Sequence, residues 1–145
     1  MRLTQGQVET FHQDGYLAVE GVLGAEDLDP LIADFDALVG EVARDLLDEG
    51  AIDAPYAEKP FETRIAYLTR AAGTSLQSRV SFPNNLRRPL YDFLNNSKLH
   101  DLVESLVGPE VYCHPCQHIR PKLPTGFTGP DYEDFAGKSP AHQDA

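Results

Sequence analysis

The sequence predicts an α+β fold, with helices over residues 1–108 and the beginning of a β-structure over residues 109–145. Apolar residues recur every three or four positions through several segments of the first part, which is the spacing of helices with one buried face. From Glu110 to Arg120, β-forming residues replace this spacing. A chain of 145 residues is typical of one domain, so we predict a single domain over residues 1–145.

Composition excludes several classes of protein. The chain has 12 Lys and Arg against 23 Asp and Glu, a net charge of −11, so nucleic acids and anionic membranes are poor partners. It contains no apolar run of 18 residues that predicts a membrane span, and its first residues lack the apolar segment of a signal peptide. We therefore expect a cytoplasmic protein. Many of the acids lie between Glu26 and Glu49, where we predict a solvated helix face.

The first helix is predicted over residues 5–14 by signals at both of its ends. Thr4 is a suitable N-cap residue, and Gln7 lies three positions later, as a capping box requires. Gly15 is a suitable left-handed stop. The apolar run Tyr16-Leu17-Ala18-Val19 then predicts a short strand.

The longest helix is predicted over residues 25–49, because eight apolar residues there follow the helical spacing. Pro30 is tolerated best in a first turn, so the helix could instead begin after Asp29 as N-cap. Gly50 is expected to end it.

Three shorter helices are predicted further along the chain. The first covers residues 61–72, and the second covers residues 86–94 with Pro89 near its first turn. Ser97 is the expected N-cap of the third, which Gly108 and the following proline end. The residues of the first of these helices that we expect to face inward are Ile65, Leu68 and Ala72.

The last part of the chain carries the main chemical signal. A strand over residues 110–120 is followed by a loop rich in glycine and proline over residues 122–139 and then by His142 and Asp144. On a strand, residues two positions apart point to the same face. An imidazole and a carboxylate placed in this way are two of the three ligands of the 2-His-1-carboxylate triad that binds non-haem Fe(II).

The β-structure predicted from this sequence is incomplete. One or two strands do not form a stable sheet alone. We therefore expect that the chain is the N-terminal part of a larger protein, or that another chain supplies the remaining strands.

Two runs of residues resemble phytanoyl-CoA dioxygenase (PhyH)-like proteins. The first is Phe11-His12-Gln13-Asp14-Gly15-Tyr16-Leu17-Ala18-Val19, near the start of the chain. The second comprises Ile119-Arg120-Pro121-Lys122-Leu123-Pro124, a loop, and Pro140-Ala141-His142-Gln143-Asp144. The resemblance covers essentially the whole chain but only the first half of a family member. It implies a double-stranded β-helix (a cupin-like jelly roll) preceded by N-terminal helices.

The resemblance also implies an enzyme that uses Fe(II), 2-oxoglutarate and O2. Such an oxygenase oxidises a small organic molecule and releases succinate and CO2. His142 and Asp144 match the first two metal ligands of the family. A second metal histidine and a cosubstrate arginine would lie beyond residue 145. Because Asp144 is present, hydroxylation or another oxidation is favoured over the halogenation that relatives with a small residue at that position perform.

Three further residues are candidates for binding the cosubstrate. Gln117 matches a strand position that contacts 2-oxoglutarate, and Arg79 falls near a family lysine that binds one of its carboxylates. Arginine in place of lysine departs from the family pattern. Lys122 matches a lysine of the motif that precedes the loop, and the resemblance assigns it no individual role.

Two alternatives remain open at this point. One is a non-catalytic binding or assembly domain that retains the front half of the fold. The other is a thiol or zinc protein built on Cys113 and Cys116, with His114 and His118 nearby. Residues three apart on a strand point to opposite faces, and zinc requires two further ligands. The simpler interpretation is that both cysteines are half-buried strand residues without a metal.

Overall fold

The computed structural model describes residues 1–81 and 87–113. This part of the chain forms α-helices and contains no strand. Its residues gather into two compact units, one made of residues 1–34 and 87–113 and the other of residues 35–81. The β-structure predicted after residue 113 lies outside the described residues, and the single domain stays a prediction. No helix in the described ranges combines the length and apolar character needed to cross a membrane.

Helix α1 spans Gln5–Asp14, which confirms the predicted helix and both of its end signals. The hydroxyl of Thr4 accepts a hydrogen bond from the Gln7 amide at 3.3 Å, and the Gln7 side chain accepts one from the Thr4 amide at 2.9 Å. Gly15 has a φ of 78° and donates its amide hydrogen to the Phe11 carbonyl at 2.8 Å. Two orphan amides at the start and one carbonyl at the end are thereby satisfied.

The strand predicted over residues 16–19 is wrong, because these residues have no regular secondary structure. Their local β-propensity is insufficient, since a strand needs a neighbour with which to exchange backbone hydrogen bonds. Residues 110–113, the first four of the strand predicted over 110–120, are also irregular. The remainder of that predicted strand lies outside the described residues.

Helix α2 spans Ala25–Asp48, which confirms the prediction to within one residue. The alternative start after Asp29 is wrong. The Gly24 carbonyl accepts hydrogen bonds from the amides of Asp27 and Leu28 at 3.1 and 3.2 Å, and the Gly24 amide donates to the Asp27 carboxylate at 2.8 Å. Pro30 therefore lies in the second turn, where it has no amide hydrogen to donate to the preceding turn.

The end of α2 is closed by a Schellman motif around Gly50, as the glycine predicted. The Ala51 amide donates to the Leu46 carbonyl at 2.9 Å, and the Gly50 amide donates to the Leu47 carbonyl at 3.0 Å. Gly50 has a φ of 68°, the left-handed conformation that this motif requires. Glu49 is consequently the C-cap residue, held between the helix and the turn.

Helix α3 spans Phe61–Ala72, as predicted, and ends at Gly73 in the left-handed conformation. Together with the second half of α2 it forms the core of the unit made of residues 35–81. Leu68 is fully buried, and Ile65 and Ala72 pack partly buried against the same cluster, which confirms the predicted inward face. The buried members of this core are Leu38, Val39, Val42, Ala43, Leu46, Ile52, Leu68, Leu76 and Val80.

Helix α4, Gln77–Val80, has only four residues and was not predicted. A segment this short cannot show the helical spacing of apolar residues on which sequence prediction depends.

Helices α5 and α6 span Arg88–Leu94 and Ser97–Val107 in the other unit. Pro89 lies in the first turn of α5, as expected, although that helix begins two residues later than predicted. The N-cap of α6 is Asn96 rather than Ser97. The Asn96 side chain accepts a hydrogen bond from the Lys98 amide at 2.8 Å.

The prediction that the acids of α2 form a solvated face is wrong for two of them. The Asp27 and Asp34 side chains are only 8% and 15% exposed. Asp27 accepts hydrogen bonds from Asn96 and Lys98, and Asp34 pairs with Arg87 at 2.8 Å. These two carboxylates connect the start of α2 to α5 and α6 within one unit.

Candidate functional site

Arg79 is the one predicted site residue within the described part of the chain. The predicted metal ligands His142 and Asp144 and the predicted cosubstrate residues Gln117 and Lys122 lie outside it. The structure therefore shows the surroundings of one candidate residue of the five.

Arg79 is positioned by two buried residues, one before it and one after it in the chain. Leu76 and Val80 are 1% and 3% exposed and belong to the core of their unit. The Arg79 amide donates to the Leu76 carbonyl at 3.0 Å, and the Gln77 amide donates to the Ser75 hydroxyl at 3.3 Å. With α4 anchored in this way, the Arg79 side chain lies at the surface and is 36% exposed.

The guanidinium of Arg79 forms a bidentate ion pair with the carboxylate of Glu49. Nη1 donates to Oε1 at 2.9 Å, and Nη2 donates to Oε2 at 2.7 Å. This is the fork geometry in which arginine recognises a planar carboxylate. Glu49 reaches it from the C-cap of α2, and its amide donates to the Asp45 carbonyl at 2.9 Å.

Each partner stabilises the charged form of the other. The hydrogen bonds from Arg79 lower the pKa of the Glu49 carboxyl, and the charge of Arg79 adds to this effect. The pKa of Arg79 is raised, first by its hydrogen bonds to Glu49 and then by the charges of Glu49 and Asp45. Arg79 thus presents its guanidinium as a fork that binds a carboxylate, and in this structure the carboxylate of Glu49 occupies the fork.

A second arginine, Arg64 of α3, is nearly buried, and sequence reasoning did not single it out. Its Nε and Nη2 lie 3.4 Å from the Pro55 carbonyl, and Nη1 lies 3.4 Å from the Asp36 carboxylate. The sequence does indicate this burial, because Arg64 lies four residues before Leu68 and therefore on the inward face of α3. Tyr56, which follows Pro55 in the chain, has a φ of 48°, which is uncommon for a residue with a side chain.

An open pocket of about 220 Å³ lies in the unit that contains α5 and α6. Apolar side chains of α2 and α5 line it, and carboxylates and an amide complete it. Arg79, the predicted site residue that the structure describes, does not line it. The lining residues are Glu26, Asp27, Pro30, Leu31, Pro89, Asp92, Phe93 and Asn96.

Within residues 1–81 and 87–113, no three His, Cys, Asp or Glu side chains come together as a group that could hold a metal ion. The zinc alternative stays a prediction, because Cys116 lies outside the described residues. The expectation of a half-buried strand residue is wrong for Cys113, which is exposed and lies in an irregular segment. His12 is exposed. His100 is half-buried, with Nε2 3.1 Å from the Leu94 carbonyl.

Comparison with known proteins gives one match. The sequence model of the family described as Phytanoyl-CoA dioxygenase (PhyH) matches residues 11–145. No curated protein and no solved structure matches the chain significantly. The family match covers both runs of residues that carried the resemblance in the sequence.

Proposed function

Because the chain belongs to the phytanoyl-CoA dioxygenase (PhyH) family, we propose that it forms part of an Fe(II)- and 2-oxoglutarate-dependent oxygenase that oxidises a small organic molecule. Members of this family are oxygenases, and in general they depend on these two cofactors. The observation that carries the proposal is the family match over residues 11–145, because it includes His142 and Asp144. The proposed products are the oxidised substrate, succinate and CO2.

His142 and Asp144 are the residues that would hold the metal. Their imidazole nitrogen and carboxylate oxygen are donors that Fe(II) accepts in oxygenases, so the donor set fits this ion. When bound, the metal would supply O2 activation coupled to decarboxylation of 2-oxoglutarate. The proposed fold is a jelly roll, and its strands would hold the two side chains on one face.

Arg79, Gln117 and Lys122 are the residues that we propose for binding 2-oxoglutarate. Two lines of support apply to Arg79. Its position matches the family pattern approximately, and its guanidinium is held in the fork geometry that suits a carboxylate. For Gln117 and Lys122 the support is the sequence match alone.

The decisive experiment compares His142→Ala with His12→Ala in the full-length protein. We expect His142→Ala to lose Fe(II) binding, measured by calorimetry, and to lose succinate formation from 2-oxoglutarate. His12 is exposed on α1, so its replacement serves as a matched control that keeps both properties. Normal succinate formation by His142→Ala would refute the proposal.

A second outcome would favour the non-catalytic alternative. If the wild-type protein binds neither Fe(II) nor 2-oxoglutarate, the chain serves as a binding or assembly domain with the family's sequence but without its chemistry. A cooperative unfolding transition in the same preparation would show that this result does not come from misfolded protein.

A further inference from the structure

We propose that Glu49 is an internal competitor of the cosubstrate, whose carboxylate occupies the Arg79 fork until a carboxylate of 2-oxoglutarate replaces it. The inference rests on the proposed function. It assigns a role to Glu49, to which the resemblance to the family gives none. It would make the affinity for 2-oxoglutarate depend on a residue at the end of α2.

The geometry of the pair requires an exchange rather than a simple addition. Glu49 accepts one hydrogen bond from each terminal nitrogen of Arg79, at 2.9 and 2.7 Å. These two donors form the edge of the guanidinium that binds a carboxylate in parallel fashion. A second carboxylate that uses this edge must therefore displace Glu49.

The pair is also weak enough to exchange. Its two side chains are 36% and 48% exposed, so water and salt screen the attraction between them. An exposed pair of this kind changes an equilibrium by no more than about fivefold. The competition would therefore tune the affinity for the cosubstrate without preventing its binding.

Two features keep the Glu49 carboxylate close to Arg79. The Schellman motif holds the backbone of Glu49 at the C-cap of α2. A carboxylate at a helix C-terminus is also disfavoured by the negative end of the helix dipole, and a guanidinium offsets this cost. Once displaced, the charge of Glu49 would still repel a nearby dianion, so neutralising it should favour 2-oxoglutarate in both ways.

The test is a calorimetric titration of 2-oxoglutarate into the Fe(II)-loaded full-length protein without O2, which measures binding and not turnover. We expect Glu49→Gln to tighten the dissociation constant by up to about fivefold relative to wild type. Asp48→Asn makes the same change of charge one residue earlier, on an exposed side chain, and should leave the constant within about 1.5-fold.

A double-mutant cycle connects the effect to Arg79. Arg79→Gln should weaken binding, and adding Glu49→Gln to it should give a smaller gain than Glu49→Gln gives alone, because only the repulsion between charges, and not the competition for the fork, is then removed. An unchanged dissociation constant in Glu49→Gln would overturn the inference, and so would an equal gain in Asp48→Asn. Absence of 2-oxoglutarate binding in the wild-type protein would instead overturn the proposed function itself. The thermal unfolding of each variant shows whether a loss of affinity comes from a loss of folded protein.

Discussion

The ammonium of Lys98 donates a hydrogen bond to the carboxylate of Asp27, although the two residues are 71 positions apart in the chain. Asp27 is only 8% exposed, and it also accepts hydrogen bonds from the Gly24 amide and the Asn96 side chain, both at 2.8 Å. Lys98 pairs in addition with the exposed Glu26 at 2.8 Å. One carboxylate thus closes the first turn of α2 and connects it to the start of α6.

This arrangement makes the stability of the protein sensitive to acid. The hydrogen bond from Lys98, followed by those from Gly24 and Asn96, lowers the pKa of Asp27 from 3.8 to about 2. A carboxyl whose pKa is lower in the folded than in the unfolded state stabilises the fold above the unfolded value. That stabilisation is lost as the pH falls from about 4 towards 2.

Asp27→Asn should therefore remove this pH-dependent contribution. We expect the difference in free energy of unfolding between wild type and variant to be constant above about pH 4 and to shrink towards pH 2. Urea denaturation at a series of pH values measures it. Asp29→Asn, on an exposed side chain of the same helix, controls for the loss of one negative charge. A wild-type-to-Asp27→Asn difference that stays constant down to pH 2 would contradict the prediction.

The core of residues 35–81 should respond strongly to a cavity at Leu68. Leu68 lies on α3, and its side chain is completely buried in a cluster that includes residues of α2. Leu68→Ala therefore removes apolar contacts and leaves a void. We expect a loss of about 2–5 kcal/mol in the free energy of unfolding. Urea denaturation measures this loss.

Ile32→Ala is the matched control for that change. Ile32 is 41% exposed, so its truncation should cost much less than that of Leu68. Equal losses for the two variants would show that Leu68 does not lie in the main core.

The longer helices could be predicted because their signals are local. Thr4, Gln7 and Gly15 lie within one helix and its caps, so the sequence alone contains the whole hydrogen-bonding pattern of α1. The prediction of a strand at residues 16–19 was wrong for the opposite reason. Its partner had to come from elsewhere in the chain, and the apolar run contains no information about such a partner.

The long-range ion pairs could not be predicted, because each of them depends on which distant segments meet. Nothing near Asp34 in the sequence indicates Arg87, which lies 53 residues away. Likewise, the residues around Arg79 do not reveal that Glu49 fills its fork. Sequence similarity identified Arg79 as a candidate, whereas its competitor became apparent only from the folded structure.

The capping box of α1 gives a prediction for a single hydroxyl. Thr4→Ala removes the acceptor of the Gln7 amide, so we expect a loss of about 1 kcal/mol in the free energy of unfolding. Thr4→Ser keeps the acceptor and should restore most of this loss. The Thr10 hydroxyl donates to the Gly6 carbonyl one turn earlier in the same helix and caps no orphan amide, so Thr10→Ala should be close to neutral. Equal losses for alanine and serine at position 4 would argue against a capping role.

Gly40 is a position where a larger side chain should stabilise the protein. It lies inside α2, where glycine costs up to about 1 kcal/mol relative to alanine. A Cβ atom there would meet Nη1 and Nη2 of Arg64 at 3.6 and 3.7 Å, which is ordinary van der Waals contact. We therefore expect Gly40→Ala to raise the free energy of unfolding by up to about 1 kcal/mol, measured by urea denaturation.

Gly15→Ala is the control that should change stability in the opposite direction. Gly15 has a φ of 78°, which alanine rarely adopts, although a Cβ there would meet no atom within 4 Å. We expect a loss of about 1 kcal/mol at this position, because the conformation and not the space is limiting. If Gly40→Ala instead destabilised the protein, the Arg64 guanidinium would need the closer approach that only glycine allows. In that case Gly40→Ala combined with Arg64→Leu should recover the stability that Gly40→Ala alone had lost.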